Sequence, residues 1–127
     1  MLKQPWAHLV ATGKKTMETR TWKTKYRGPL AIGASQLYDV AGGDYLLSRS
    51  IHFPLCYDLV RGAVVATATL RDIVAYTPEL VPQGLCPYTE GEVRYGWLLE
   101  DVKMLEKPAP IKGRLGLFDL PLGIIPA

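Results

Sequence analysis

The chain has 127 residues, 48% of them apolar and 21% charged, with a formal net charge of +3. That length and balance describe a single domain, residues 1–127, with enough apolar surface for a real core, and argue against intrinsic disorder and against a tandem enzyme. The opening Met1, Leu2, Lys3, Gln4, Pro5 lacks the apolar run of a signal peptide, and no stretch approaches the roughly 20 apolar residues of a membrane span. A soluble, cytoplasmic protein without a membrane partner is expected.

The charge is unevenly placed. Residues 1–28 hold Lys3, Lys14, Lys15, Arg20, Lys23, Lys25 and Arg27 against Glu18 alone, a local balance of +6, while the remaining 99 residues sum to −3. Interleaved with Trp6, Trp22 and Tyr26, this basic end suits phosphates and a stacking base, although a solvated basic edge has the same appearance. The modest total argues against a protein that relies on counterion release along a long polyanion.

In chain order, Trp6, Leu9 and Val10 share helical spacing, with Pro5 suited to the first turn and Gly13 to the stop, so a helix is expected over Pro5 to Thr12. Thr16 to Lys23 alternates as a strand does, placing Glu18, Arg20 and Trp22 on one face and Met17, Thr19 and Thr21 on the other. Leu30 to Ser35 reads as a buried strand, Gly42 and Gly43 as a turn, and Asp44 to Ser50 as a helix. Arg61 to Val74 is the clearest strand, rich in β-branched residues and alanine. Residues 76–92, with Pro78, Pro82, Gly84, Pro87 and Gly91, read as a long functional loop or lid. Tyr95 to Leu105 follows as a strand that Pro108 and Pro110 break, and Leu115 to Leu120 as a last short one. Five or six strands with two helices imply an α+β protein built on a small barrel or strongly curved sheet.

The residues that carry chemistry are Gly13, Lys14, Lys15, Thr16, Met17, Glu18, Thr19 and Arg20, a G-x-K-T-x-E-x-R string across a helix-to-strand junction. Lys15 leaves the helix end while Glu18 and Arg20 share a strand face, so an ammonium, a carboxylate and a guanidinium converge on one cleft. A lysine desolvated beside an arginine loses proton affinity and becomes a usable base or nucleophile; the carboxylate can relay a proton or hold a water. An ion pair on an exposed strand face would use the same residues and do nothing. Other clusters are weaker. His52 and Cys56 lack the partners that zinc needs, His8 reads as a surface or half-buried residue, and Cys56 and Cys86 read as free thiols. No phosphate-cradling glycine loop occurs, and neither a metal nor a cofactor is expected.

Gln4 to Trp22, followed by Tyr26, Arg27, Gly28, Pro29 and Leu30 through Ser35, resembles the ASCH domain family. The resemblance continues through Arg61 to Ile73, Tyr95 to Val102 and Lys112 to Phe118, leaving out 36–60 and 76–93. It implies a PUA-like small β-barrel with flanking helices, a cleft holding the string, and an association with RNA or modified nucleosides. One small branch of that family hydrolyses the amide of N4-acylated cytidines with the lysine that Lys15 matches. That branch has a threonine where this chain has Glu18, and a further glutamate that Glu79, Glu90 and Glu92 compete to match. The resemblance therefore points to an amidohydrolase acting on N4-acetylcytidine or a related nucleoside, with Lys15, Glu18 and Thr16 as catalytic groups. Arg20, Trp22, Ser35 and Trp97 are the expected substrate-binding residues, with Arg20 or a backbone N–H facing the oxyanion and a tryptophan stacking the base. An RNA-binding module and a ribonuclease using the same cleft are the alternatives.

Overall fold

A computed structural model describes residues 1–111. Its elements run β1 (Leu2–Gln4), α1 (Trp6–Ala11), β2 (Met17–Arg20), β3 (Gly28–Tyr38), α2 (Val40–Ser48), β4 (Ala63–Ala75), α3 (Val81–Gly84) and β5 (Tyr95–Pro110). One sheet takes the order β1-β3-β4-β5-β2, with β1 parallel to β3 and every other pair antiparallel. The class is α+β, as expected. The last expected strand, Leu115 to Leu120, lies outside the described residues.

The long β3, β4 and β5 ladder carries the core. From these strands Ile32, Ala34, Val65, Ala66, Ala68, Leu70, Trp97 and Leu99 meet Ala7, Val10 and Ala11 of α1 in one apolar cluster. A fully buried leucine such as Leu70 contributes about 1.5–3 kcal/mol relative to exposure. The register shifts at Ile32/Gly33, Val64/Ala66, Thr67/Thr69 and Leu70/Asp72, and irregularities of this kind bend and twist a sheet. The bending brings the two outer strands toward each other. Arg20 Nη2 on β2 donates to the Met1 carbonyl, just before β1, at 3.1 Å. The sheet is thus barrel-like, its seam bridged by a side chain rather than by a backbone ladder.

Three expectations are revised, and one strand, β1, is added. The three residues of β1 are too few to show a period. The helix expected over Asp44 to Ser50 begins at Val40, because the Asp39 side chain accepts from the Gly42 N–H at 2.9 Å and caps it; the two glycines read as a turn are helical. Gly42 is required there, since a Cβ would come within 2.6 Å of the Trp6 ring and the Asp39 carboxylate. Strand β5 runs through Pro108 and ends at Pro110. Strand β2 pairs with Tyr95 to Leu98, and among the described residues no other strand lies along the rest of that edge of β5, where a missing N–H is tolerated.

Residues 76–94 form a strap. It contains a 3-10 turn at Pro78–Leu80 and the single-turn α3, more structure than the expected loop. The Tyr76 hydroxyl donates to the Cys86 carbonyl at 2.5 Å, and the Thr16 N–H donates to the Gln83 carbonyl at 3.1 Å, which ties the strap to the start of β2.

Candidate functional site

The seam between β1 and β2 opens into a cavity of about 690 Å³, within the range of small-molecule sites. Its walls include Trp6, Glu18, Arg20, Ser35, Asp39 and Arg94. Local chain geometry explains how Lys15 comes to lie beneath it. Gly13, at φ +81°, ends α1 in the left-handed region open to glycine, and the Lys15 N–H then turns back to the Leu9 carbonyl at 3.0 Å. The Lys15 side chain is carried under the helix, where it is fully buried. Its ammonium donates to the Gly84 carbonyl of the strap, lies 3.5 Å from Glu18 Oε1 and stands 5.0 Å from the centroid of the Trp6 ring.

Burial pushes the Lys15 amine below its ordinary proton affinity, a shift that Glu18 opposes and does not cancel. Glu18 is the group that faces the cavity. Its side chain is 13% exposed, Oε1 accepts from the Thr19 N–H at 3.0 Å, and Oε2 lies 3.6 Å from Arg20 Nε. Arg20 is held in turn by the Met1 carbonyl, yet 32% of its side chain stays open. An ammonium, a carboxylate and a guanidinium therefore form a line from the interior to the cavity.

Of the residues expected from sequence, Glu18, Arg20 and Ser35 line the cavity and Lys15 sits directly behind Glu18. Thr16, Trp22 and Trp97 do not line it. Thr16 has an exposed side chain, and its backbone is engaged by Gln83 and Leu99. Trp97 is 5% exposed within the core, edge-on to Trp22 with ring centroids 4.8 Å apart, and its indole N–H donates to the Trp22 carbonyl at 3.2 Å. Trp22 also lies beyond the end of β2, so the strand face it was expected to share with Glu18 stops at Arg20.

Three more groups line the cavity: Trp6, which the sequence places only at the basic end, and Asp39 and Arg94, which it does not single out. Trp6 donates its indole N–H to Asp39 Oδ2 at 2.9 Å. Burial alone would raise the Asp39 carboxyl, but its bonds from Trp6 and Gly42, with Lys3 nearby, outweigh burial and hold it below its ordinary value. Arg94 pairs with Glu92 at 3.0 Å, and its buried Nε has no partner among the described residues. A second carboxylate does reach the cavity, then, but it is Asp39 and none of Glu79, Glu90 and Glu92. The capping signal at Asp39 and the helical placement of Trp6 were available in the sequence. Arg94 had no local signature.

Outside the cavity, His8 is half-buried and its imidazole is pushed below its ordinary value by burial, then by Lys14. Cys56 and Cys86 are free thiols, Cys56 exposed. Among the described residues no cluster of His, Cys, Asp and Glu is arranged to hold a metal ion, and no helix is long and apolar enough to cross a membrane.

The fold is shared with known structures. The chain is similar to the crystal structure of ASCH from Zymomonas mobilis, with 20% identity and a TM-score of 0.56, covering 84% of this chain and 68% of that one. A serine-to-alanine variant of the Zymomonas protein is similar at 18% identity and a TM-score of 0.55, covering 87% and 70% respectively. At these identities the likeness concerns the fold, and it bears out the PUA-like architecture. Among curated proteins none matches. The ASCH domain family itself matches residues 1–109, a span that includes the whole G-x-K-T-x-E-x-R string and nearly all of the curved sheet around it. On that match, the chain belongs to the ASCH domain family.

Proposed function

We propose that the chain hydrolyses the amide of an N4-acylated cytidine or a closely related modified nucleoside at this cavity. The observation that carries the reading is the line Lys15, Glu18, Arg20, with 3.5 and 3.6 Å between neighbours, running from a fully buried amine to an accessible guanidinium. A ladder of this kind is more than a surface ion pair, because the buried amine is costly to maintain unless it serves the carboxylate in front of it.

In this reading Glu18 takes a proton from a water, whose oxygen attacks the acyl carbon. Arg20 faces the oxyanion that forms, and the C–N bond then breaks as Glu18 returns the proton to the departing exocyclic nitrogen. The products are the free carboxylic acid and cytidine. Lys15 does not line the cavity and is fully buried, so it acts as a positioning residue through Glu18 and not as the nucleophile. The Thr16 hydroxyl, exposed and outside the cavity, takes no part.

A second reading, RNA binding, is favoured by one observation: Lys23, Lys25, Tyr26 and Arg27 are all exposed in the connection between β2 and β3. Salt separates the two. A nucleoside hydrolase releases cytidine from N4-acetylcytidine at a rate almost independent of salt, whereas a phosphate-binding module shows no release and an RNA affinity that falls steeply as salt rises. Cleavage of single-stranded RNA without cytidine release would favour a ribonuclease instead.

A further inference from the structure

We infer that Trp6 is the platform on which the substrate's pyrimidine ring stacks, an inference that rests on the nucleoside reading above and supplies its missing base-binding group. Planar bases are held in clefts chiefly by aromatic faces. Among the described residues, Trp6 is the one aromatic side chain in the cavity wall; Trp97 is buried in the core and the half-buried Trp22 packs edge-on against it.

The ring is fixed in three ways. Its N–H is held by Asp39 at 2.9 Å, Asp39 is locked in turn by capping α2 through the Gly42 N–H, and the absence of a side chain at Gly42 brings the first turn of α2 against the ring edge. The Lys15 ammonium stands 5.0 Å from the ring centroid, a cation–π contact that further fixes the ring, and the ring also contributes to the cavity wall. A ring immobilised before binding loses little further freedom when a base stacks on it. The Trp6 centroid and Glu18 Oε1 lie 5.0 and 3.5 Å from the same Lys15 Nζ, so ring and carboxylate are near neighbours in the wall of one cavity.

The test uses the full chain. Cytidine binding is followed by tryptophan fluorescence and by calorimetry for the parent, Trp6→Phe and Trp6→Leu, and the KM and kcat for N4-acetylcytidine are measured beside them. Removing the face in Trp6→Leu is expected to weaken cytidine and raise KM by about ten-fold or more, while Trp6→Phe keeps a face and most of the affinity but loses the fluorescence quench. A measurement on the parent alone covers the case in which Trp6→Leu does not fold: uridine, which is planar, binds more tightly than 5,6-dihydrouridine, which is not. Unchanged cytidine affinity and KM in folded Trp6→Leu, or equal binding of the planar and puckered nucleosides, overturns the inference while hydrolysis by the parent stands. Quenching by cytidine that depends on Trp6, without turnover of N4-acetylcytidine, sinks the hydrolase reading and leaves the platform in place. A parent that binds no pyrimidine overturns both.

Discussion

Replacing Lys15 with methionine keeps most of the side-chain volume and removes the charge. The structure sets the size of the effect. The Gly84 carbonyl loses its donor, and an unsatisfied buried acceptor costs about 1–3 kcal/mol. Glu18 loses a cation at 3.5 Å but keeps Arg20 at 3.6 Å, and the penalty of desolvating an ammonium disappears, which offsets much of that loss. A net destabilisation of about 1–3 kcal/mol at pH 7 is expected for Lys15→Met, and more for Lys15→Ala, which adds a void. The pH dependence is the sharper signature. Burial lowers the Lys15 amine, so between its folded value and its ordinary 10.5 the unfolded chain holds the extra proton, and this group makes stability rise with pH across that window. Tyr76, pushed up to about 12 first by burial, acts in the opposite sense: above pH 10 the unfolded chain loses its proton first, and stability falls. Subtracting the Lys15→Met curve from that of the parent cancels Tyr76. Urea unfolding from pH 7 to 10.5 should therefore give a parent-minus-variant stability difference that grows with pH. A flat or falling difference would mean that the amine is not desolvated, and the argument built on its burial would fail.

Three other outcomes follow from the geometry. Tyr76→Phe removes the bond to the Cys86 carbonyl and should cost about 1 kcal/mol, with faster hydrogen exchange confined to residues 76–94; unchanged exchange there would show that the bond does not hold the strap. Gly42→Ala forces a methyl to within 2.6 Å of Trp6 and Asp39, so a melting temperature lowered by the equivalent of about 1–3 kcal/mol is expected, and a neutral result would contradict the close approach of α2 to Trp6. Arg20→Lys places a single point charge where a fork bridges Glu18 and the Met1 carbonyl; cytidine release should fall about ten-fold or more, a loss that an intact rate would refute.

The sequence made the strands of the core and the Lys15, Glu18, Arg20 line legible because both rest on local spacing. The β-branched and alanine-rich run over 61–74 and the helix-to-strand junction at Gly13 need no distant partner to be read. What it hid depends on long-range contacts. The parallel pairing of β1 with β3 joins Leu2 to Ala34, and no pattern within three residues announces it. The prolines of β5 were misread because their tolerance follows from where β2 ends. Which tryptophan reaches the cavity is hidden for the same reason: it depends on how β2, β5 and α1 pack, and that packing buries Trp97 and leaves Trp6 at the wall.

The central claim is that Glu18, backed by a buried amine, performs the proton transfer of amide hydrolysis. Its most direct test is cytidine release from N4-acetylcytidine by the parent and by Glu18→Gln, with folding verified by circular dichroism and binding by cytidine titration. The account expects turnover by the parent and a drop of about 10²–10⁴-fold in kcat for the variant, with cytidine affinity retained. Turnover by Glu18→Gln at the parental rate, or none by a parent that binds cytidine, would contradict it.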